Sequence, residues 1–185
     1  MPPTARGERV RLRDVTLADA DRFDELNRRE RHGGGYNDFG REASPVDRAV
    51  LARGPLRDDD HGVFLVQRVD DGELIGTIGW RRVQYGPNAE SAALMIGIEL
   101  AAEARGRGYG TEAQRLLADW LFEHSDVHRV EAATDIDNVA EQRSLEKAGF
   151  VRDGVIRGAQ FRAGAYHDLV FFGRLRSDPW GRPAR

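Results

Sequence analysis

The amino-acid sequence predicts a single domain of the α/β (α+β) class, with a mixed, mostly antiparallel central sheet flanked by helices. Its 185 residues, 40% of them hydrophobic, suffice for one core of ordinary size but not for a second full domain. Between residues 63 and 100, three strand-like runs are separated only by short turns, as in an antiparallel meander. Segments of helical periodicity precede and follow this meander.

The first third of the chain predicts one short strand and two helices. Residues 10–13 alternate apolar with charged side chains, which is typical of a half-buried strand. Thr16 is a candidate N-cap for a first helix, which is expected to end before Gly33. A glycine-rich connection follows, and a second helix is expected over residues 46–53.

The rest of the chain predicts the sheet and two further helices. Residues 63–69 and 74–83 form a hairpin, and a third strand covers 92–100. The i, i+3, i+4 spacing of one apolar helix stripe then joins Ala113, Leu116, Leu117, Trp120 and Leu121. The last expected elements are a strand at 127–134, a helix at 140–147 that stops at Gly149, and strands at 151–156 and 166–175.

Charge and composition argue against several classes of function. Lys and Arg number 28 against 31 Asp and Glu, so nucleic acid is not an expected partner. The chain has no cysteine, which leaves no thiolate metal site and no acyl-cysteine intermediate. The five histidines show no metal-ligand spacing, so no metal is expected. No apolar run approaches the length of a membrane span, and we expect a cytoplasmic protein without membrane partners.

A glycine-rich turn lies between the third strand and the apolar helix stripe. It consists of Arg105, Gly106, Arg107, Gly108, Tyr109, Gly110 and Thr111. Unpaired N–H groups and the positive helix end hold a phosphate at such a place, and glycine lets the backbone approach it closely. Arginines suit a pyrophosphate. Walker and Rossmann patterns do not fit, but a plain strand-to-helix turn with solvent-facing arginines remains an alternative on the glycines alone.

The turn resembles the signature of the GNAT N-acetyltransferase superfamily. Residues 105–113 read Arg-Gly-Arg-Gly-Tyr-Gly-Thr-Glu-Ala and are similar to that family's Q/R-x-x-G-x-G/A pattern. Asn138 and the run Leu-Glu-Lys-Ala-Gly-Phe at 145–150 resemble the family's later asparagine and helix end. Leu12-Arg13, the run Ile-Gly-Ile-Glu-Leu at 96–100, and the ending Tyr166-His167-Asp168 with Arg174-Leu175 resemble the RimJ/RimL branch. The resemblance covers residues 8 to about 180.

This resemblance implies the fold and the co-substrate. It implies one GNAT domain over residues 1–185, with helices on both sheet faces, a core at about 8–176 and a short tail at 177–185. It further implies acetyl-CoA, no metal, and direct acetyl transfer to a primary amine in a ternary complex. The main chain of Ile98 and Leu100 would hold the pantetheine arm, and the turn 105–111 the pyrophosphate. Asn138 would contact the pantetheine or lie near the sulfur, unless it only forms an Asx turn before a helix.

The groups for proton transfer match the family less well. Leu145 stands where many relatives have a tyrosine acid, and Leu94 where some have a glutamate base. Glu141 stands where the RimL-like pattern has a serine, so it is a candidate base, with an exposed helix glutamate as the alternative. Glu131 and Glu99 lie on predicted strands beside the expected groove, and each either relays a proton or is a solvated or ion-paired carboxylate.

The acceptor is predicted only as an amine, either a small molecule or a peptide N-terminus. In the family the acceptor pocket draws on the connection after the first helix and on the loop between the last two strands. These correspond to Tyr36 and Asp38, where a carboxylate attracts an ammonium group, and to residues 160–162. Two alternative functions remain: a catalytically silent acyl-CoA-binding module and a transferase for another acyl-CoA. A monomer or a homodimer is expected.

Overall fold

A computed structural model describes residues 4–32, 35–36, 39 and 44–179 of the chain. Four α-helices lie in this part: α1 Ala20–His32, α2 Arg48–Arg53, α3 Tyr109–His124 and α4 Val139–Lys147. The strands of the same part are β1 Ala5–Arg6, β2 Val10–Asp14, β3 His61–Arg68, β4 Leu74–Gln84, β5 Ala92–Leu100, β6 Arg129–Asp135, β7 Val151–Arg162 and β8 Ala165–Leu175. None of the described helices is long and apolar enough to cross a membrane.

These strands form one sheet of order β1-β2-β3-β4-β5-β6-β8-β7. The segment from β1 to β5 is an antiparallel meander, as the turn pattern predicts. Strands β5 and β6 are parallel and pair only from Ala93 opposite Arg129 to Met95 opposite Glu131. Beyond these positions β5 remains paired with β4, and β6 with β8. The two central strands therefore diverge and leave a wedge-shaped gap between their C-terminal halves.

The two faces of the sheet are covered by different helices. Phe64, Ile78 and Ile98 are aligned across β3, β4 and β5, and they pack in a cluster that includes residues of α3 and α4. We call this the α3 face. On the opposite face, which we call the α1 face, Leu65 packs with residues of α1 and α2. The expected mixed, mostly antiparallel sheet with helices on both faces is confirmed.

Most predicted boundaries hold to within two residues, and three differences have to be reported. Helix α2 begins at Arg48 instead of residue 46, because the Asp47 carboxylate accepts a hydrogen bond from Ala49 N at 2.8 Å and caps the helix. Strand β1 is not evident in the sequence. Residues 160–162 belong to β7 and not to a loop, since the turn between the last strands is only Ala163 and Gly164, both with positive φ.

The start of α3 is fixed to the sheet by a buried carboxylate. Glu112, in the first turn of α3, is 8% exposed and accepts hydrogen bonds from the backbone N–H groups of Glu8 and Arg9. A side chain at Gly7 would place its Cβ against the Glu112 carboxylate, so glycine there leaves room for these hydrogen bonds. This contact sets the position of the helix end that follows the glycine-rich turn.

Candidate active site

The gap between β5 and β6 exposes one edge of β5. Within the described residues, no strand pairs with this edge from Ile96 to Leu100. The side chains of Ile98 and Leu100 are half-buried and pack against the α3-face cluster. The N–H and C=O groups along an open strand edge form hydrogen bonds with an extended ligand in the same way as with a neighbouring strand. The arrangement is therefore compatible with the predicted pantetheine site on Ile98 and Leu100.

The glycine-rich turn lies at the end of this gap and begins α3. Gly106 and Gly108 have φ angles of 72° and 82°, in the left-handed region that favours glycine. Gly108 is the N-cap, and its carbonyl accepts the first helical hydrogen bond, from Glu112 N, at 3.1 Å. The N–H groups of Tyr109, Gly110 and Thr111 consequently have no partner within the helix. They face outward at a helix N-terminus, which is the arrangement that an anion requires.

Hydrogen bonds connect the turn to β5 on one side and to Arg9 on the other. Arg105 Nε donates to the Leu100 carbonyl at 2.8 Å, which ties the turn to the end of β5. Arg9 Nη1 donates to the Arg107 carbonyl at 3.0 Å, while the Arg107 side chain is exposed. Tyr109 is half-buried against the α3-face cluster. Arg105 and Arg107 are thus both exposed cations of the turn, and Tyr109 contributes packing.

Asn138 is the N-cap of α4. Its Oδ1 accepts a hydrogen bond from Glu141 N at 3.2 Å, and its Nδ2 donates to Thr134 Oγ1 at 3.0 Å. The local alternative proposed from the sequence, a turn before a helix, therefore describes this side chain. Its contact with pantetheine stays a prediction.

A chain of polar side chains joins the turn to α4. Thr111 Oγ1 lies 2.9 Å from Ser144 Oγ, and Ser144 donates to Gln114 Oε1 at 3.2 Å. The Gln114 amide, only 1% exposed, donates in turn to the Glu141 carboxylate. Burial raises the pKa of Glu141 to about 7, against a smaller opposing effect of the Gln114 hydrogen bond. Glu141 is therefore a half-buried, titratable group in the cleft between α3 and α4.

Glu131 has a different environment. It is fully buried, and the Tyr85 hydroxyl donates a hydrogen bond shared between its two oxygens, with O–O distances of 2.8 and 2.9 Å. Arg129 Nε lies 2.8 Å from its second oxygen, and the same guanidinium pairs with Asp153. Both oxygens of Glu131 are thus occupied at the point where β5 and β6 begin to diverge. The structure favours the ion-paired alternative for Glu131, and its role as a base stays a prediction.

The residues predicted to face the acceptor are only partly within the described chain. Asp38 lies outside the described residues. Tyr36 is exposed, and its hydroxyl donates to the Asp137 carbonyl at 3.1 Å. The guanidinium carbon of Arg162 lies over the Tyr36 ring, 5.5 Å from the ring centroid. Tyr36 therefore joins the α1–α2 connection to the loop before α4.

Sequence reasoning missed the buried ion pair beneath Tyr36. Arg162 and Asp135 are 5% and 3% exposed, and the guanidinium pairs directly with the carboxylate. The other Asp135 oxygen accepts a hydrogen bond from Asp137 N at 2.8 Å, which shapes the turn that leads to Asn138. No sequence spacing links residues 135 and 162, so the available signal was only a charged residue near each strand end.

Leu145, at the position of the tyrosine acid in many relatives, is fully buried in the α3-face cluster. It is a core residue in this chain. The position of the tyrosine acid therefore contributes to the core in this chain and presents no titratable group.

Comparison with known proteins gives a consistent family. The family model of the acetyltransferase (GNAT) domain matches residues 9–151 of this chain. A probable N-acetyltransferase of Bacillus subtilis, YjcK, is 34% identical over 66% of this chain and 66% of its own length. The chain aligns with between 56% and 66% of the lengths of the curated relatives that it matches.

Solved structures share the fold over more of the chain. Ribosomal-protein-S5-alanine acetyltransferase from Vibrio fischeri superposes with a TM-score of 0.77 at 22% identity, covering 94% of this chain and 96% of that one. Mycobacterium smegmatis RimJ, solved in complex with a CoA disulfide, gives a TM-score of 0.70 at 21% identity, covering 90% and 82%. At these identities the likeness concerns the fold.

We expect Gly108→Glu to abolish acetyl-CoA binding. The substitution puts a side chain at φ 82°, with its Cβ 2.9 Å from Arg9 Nη1, and adds a negative charge beside the helix N-terminus. The matched control is Gly164→Glu, which has the same φ but lies in open space at the β7–β8 turn. Calorimetry should show binding by the control and none by Gly108→Glu. Equal affinities would mean that the turn is not the binding site.

We expect Glu141→Gln to change the pH dependence of stability. Since the folded-state pKa is raised to about 7, the wild type has its full stability below the unfolded value near 4.5 and loses it as pH rises through 7. The variant should nearly match the wild type at pH 4 and exceed its unfolding free energy at pH 8.5 by up to about 3 kcal/mol. Urea unfolding measures this. The exposed Glu146→Gln should show no such difference, and a pH-independent effect of Glu141→Gln would contradict the assignment.

Proposed function

Because the chain belongs to the GNAT acetyltransferase family, we propose that it transfers an acetyl group from acetyl-CoA to a primary amine. The observation that carries this proposal is the coincidence of an open β5 edge with an N–H-lined turn at the start of α3. The relatives support the class of acetyl-CoA-dependent acyltransferases and the RimJ/RimL-like branch. The acceptor would be a small amine or a peptide N-terminus.

The residues of the gap fit acetyl-CoA, which supplies an acyl group activated as a thioester. The left-handed glycines Gly106 and Gly108 leave room for a pyrophosphate against the N–H groups of α3. Arg107 contributes an exposed positive charge. The open edge at Ile98 and Leu100 would hold the pantetheine arm, and a strand N–H near Ile98 would stabilise negative charge on the thioester oxygen, worth about 3 kcal/mol.

Glu141 is the group that we propose for proton transfer to the leaving sulfur. Acyl transfer forms a C–N bond and breaks a C–S bond, so the nitrogen loses one proton and the sulfur gains one. Glu141 lies beside Asn138 and Gln114 in the α3–α4 cleft, and a pKa near 7 keeps part of it protonated at neutral pH. We therefore assign it to the thiolate instead of to the amine. Glu131 is the second candidate for this proton transfer, because its oxygens already pair with Tyr85 and Arg129.

We expect the protein to release free CoA thiol from acetyl-CoA in the presence of an amine. A screen of primary amines and peptides with free N-termini, followed by thiol detection, measures this. Direct transfer in a ternary complex predicts intersecting initial-rate plots, since the chain has no cysteine to carry the acyl group. Parallel plots or an acetylated enzyme would overturn direct transfer. Acetyl-CoA binding without thiol release for any amine would identify a silent binding module.

We expect Glu141→Gln to lower kcat by on the order of 10²-fold, because glutamine cannot donate a proton. The wild-type kcat should fall as pH rises through 7, where Glu141 loses its proton, and this dependence should vanish in the variant. The acetyl-CoA affinity should change little. Glu146→Gln, on the exposed side of the same helix, should keep wild-type kcat. Full activity of Glu141→Gln across the pH range would remove Glu141 from the mechanism.

A further inference from the structure

Glu99 projects from the α1 face of β5, opposite to Ile98 and Leu100. Across the sheet, Glu99 pairs with Thr77, and Thr77 pairs with Leu65. Residues directly opposite each other in adjacent strands share a face, and Leu65 packs with α1 and α2. The side chain of Glu99 therefore faces the α1 side, while the neighbouring Ile98 side chain faces α3. Glu99 and Glu141 consequently lie on opposite sides of the sheet.

The surroundings of Glu99 leave its carboxylate available. Its side chain is half-buried, and among the described residues it has neither a hydrogen-bond partner nor an ion pair. Gly97, two residues earlier on the same face, is exposed, and a Cβ placed there would meet nothing within 4 Å. A carboxylate thus borders open space next to the unpaired edge of β5. Glu131, on the same face at the start of the gap, is by contrast fully paired.

The reaction needs a carboxylate on this side. An amine reaches the enzyme as an ammonium ion at neutral pH and must lose a proton to attack. The α3 face is occupied by the turn, α3 and α4, which form the proposed acetyl-CoA site. The acceptor then approaches Ile98 from the α1 face, where Tyr36 of the α1–α2 connection reaches the loop before α4. Glu99 is the unpaired carboxylate of the described residues next to Ile98 on that face.

We propose that Glu99 binds the ammonium group of the acceptor and accepts its proton, which selects cationic amines over neutral or anionic acceptors. This inference rests on the proposed function. In the step, the N–H bond of the ammonium breaks, its proton passes to a Glu99 oxygen, and the nitrogen lone pair becomes free to attack. After the attack, the nitrogen of the tetrahedral intermediate loses its second proton to solvent, and the leaving sulfur takes its proton from Glu141 on the other side of β5.

Binding of 1,4-diaminobutane to the full chain saturated with CoA tests the first part. Calorimetry should show that Glu99→Gln weakens binding at least about tenfold, because an ammonium loses its charged partner. Glu99→Asp should restore part of the affinity. The matched control is Glu103→Gln, which neutralises an exposed carboxylate just beyond β5 and should bind like the wild type. Equal binding by wild type and Glu99→Gln, or no binding by the wild type, would overturn the proposal.

Turnover tests the second part and separates it from the proposed function. With any amine that the wild type acetylates, Glu99→Gln should lower kcat by on the order of 10²-fold without changing acetyl-CoA affinity. Unchanged kcat and KM would refute the role of Glu99 while the acetyltransferase function stands. Diamine binding that depends on Glu99, in a protein that releases no thiol, would refute the function but not the ammonium site. Glu99→Gln is isosteric, and unfolding curves check its fold.

Discussion

The divergence of β5 and β6 is the constraint on which the rest of the site depends. The strands pair over only three positions, from Ala93 to Met95, and then follow different neighbours. In a continuous sheet, the next strand would form hydrogen bonds with the peptide groups of β5 beyond Met95. The divergence leaves these groups without a strand partner among the described residues. The crossover through α3 maintains it, because Glu112 ties the helix start to the β1–β2 turn and Arg105 ties the preceding turn to Leu100. The gap and the N-terminal end of α3 are thereby held side by side.

Three glutamates around this gap show how environment separates groups of identical chemistry. Glu131 is fully buried but paired with Arg129 and Tyr85, so its negative charge is compensated. Among the described residues, the Glu141 carboxylate has only the neutral amide of Gln114 as a partner, and burial favours its protonated form. Glu99 faces open space on the other side of β5. One carboxylate therefore fixes the structure, and the other two, on opposite faces, are those that we propose for proton transfer.

The α1 side of the gap is organised by a buried ion pair. The Arg162 guanidinium contacts Asp135, the Gly35 carbonyl and the ring of Tyr36. Asp135 in turn shapes the turn that precedes Asn138. The connection after α1, the last hairpin and the start of α4 thus meet at one charged contact. Because removing one partner of such a pair leaves an uncompensated buried charge, these three segments are expected to keep a fixed relation.

The sequence by itself determined the features that depend on local chemistry. The glycine-rich turn, the apolar stripe of α3 and the alternation in β5 follow from short-range spacing, and they sufficed to predict the sheet class and the position of the turn before α3. Phosphate binding by this turn stays a prediction. The long β7 was missed because irregular pairing between Ile156 and Gln160 interrupts its pattern. The role of each carboxylate was decided only by tertiary structure. Gln114 lies 27 residues from Glu141, and Tyr85 lies 46 residues from Glu131. Burial and hydrogen-bond partners that distant in the chain set whether a carboxylate is paired, protonated or free, and no local spacing encodes them.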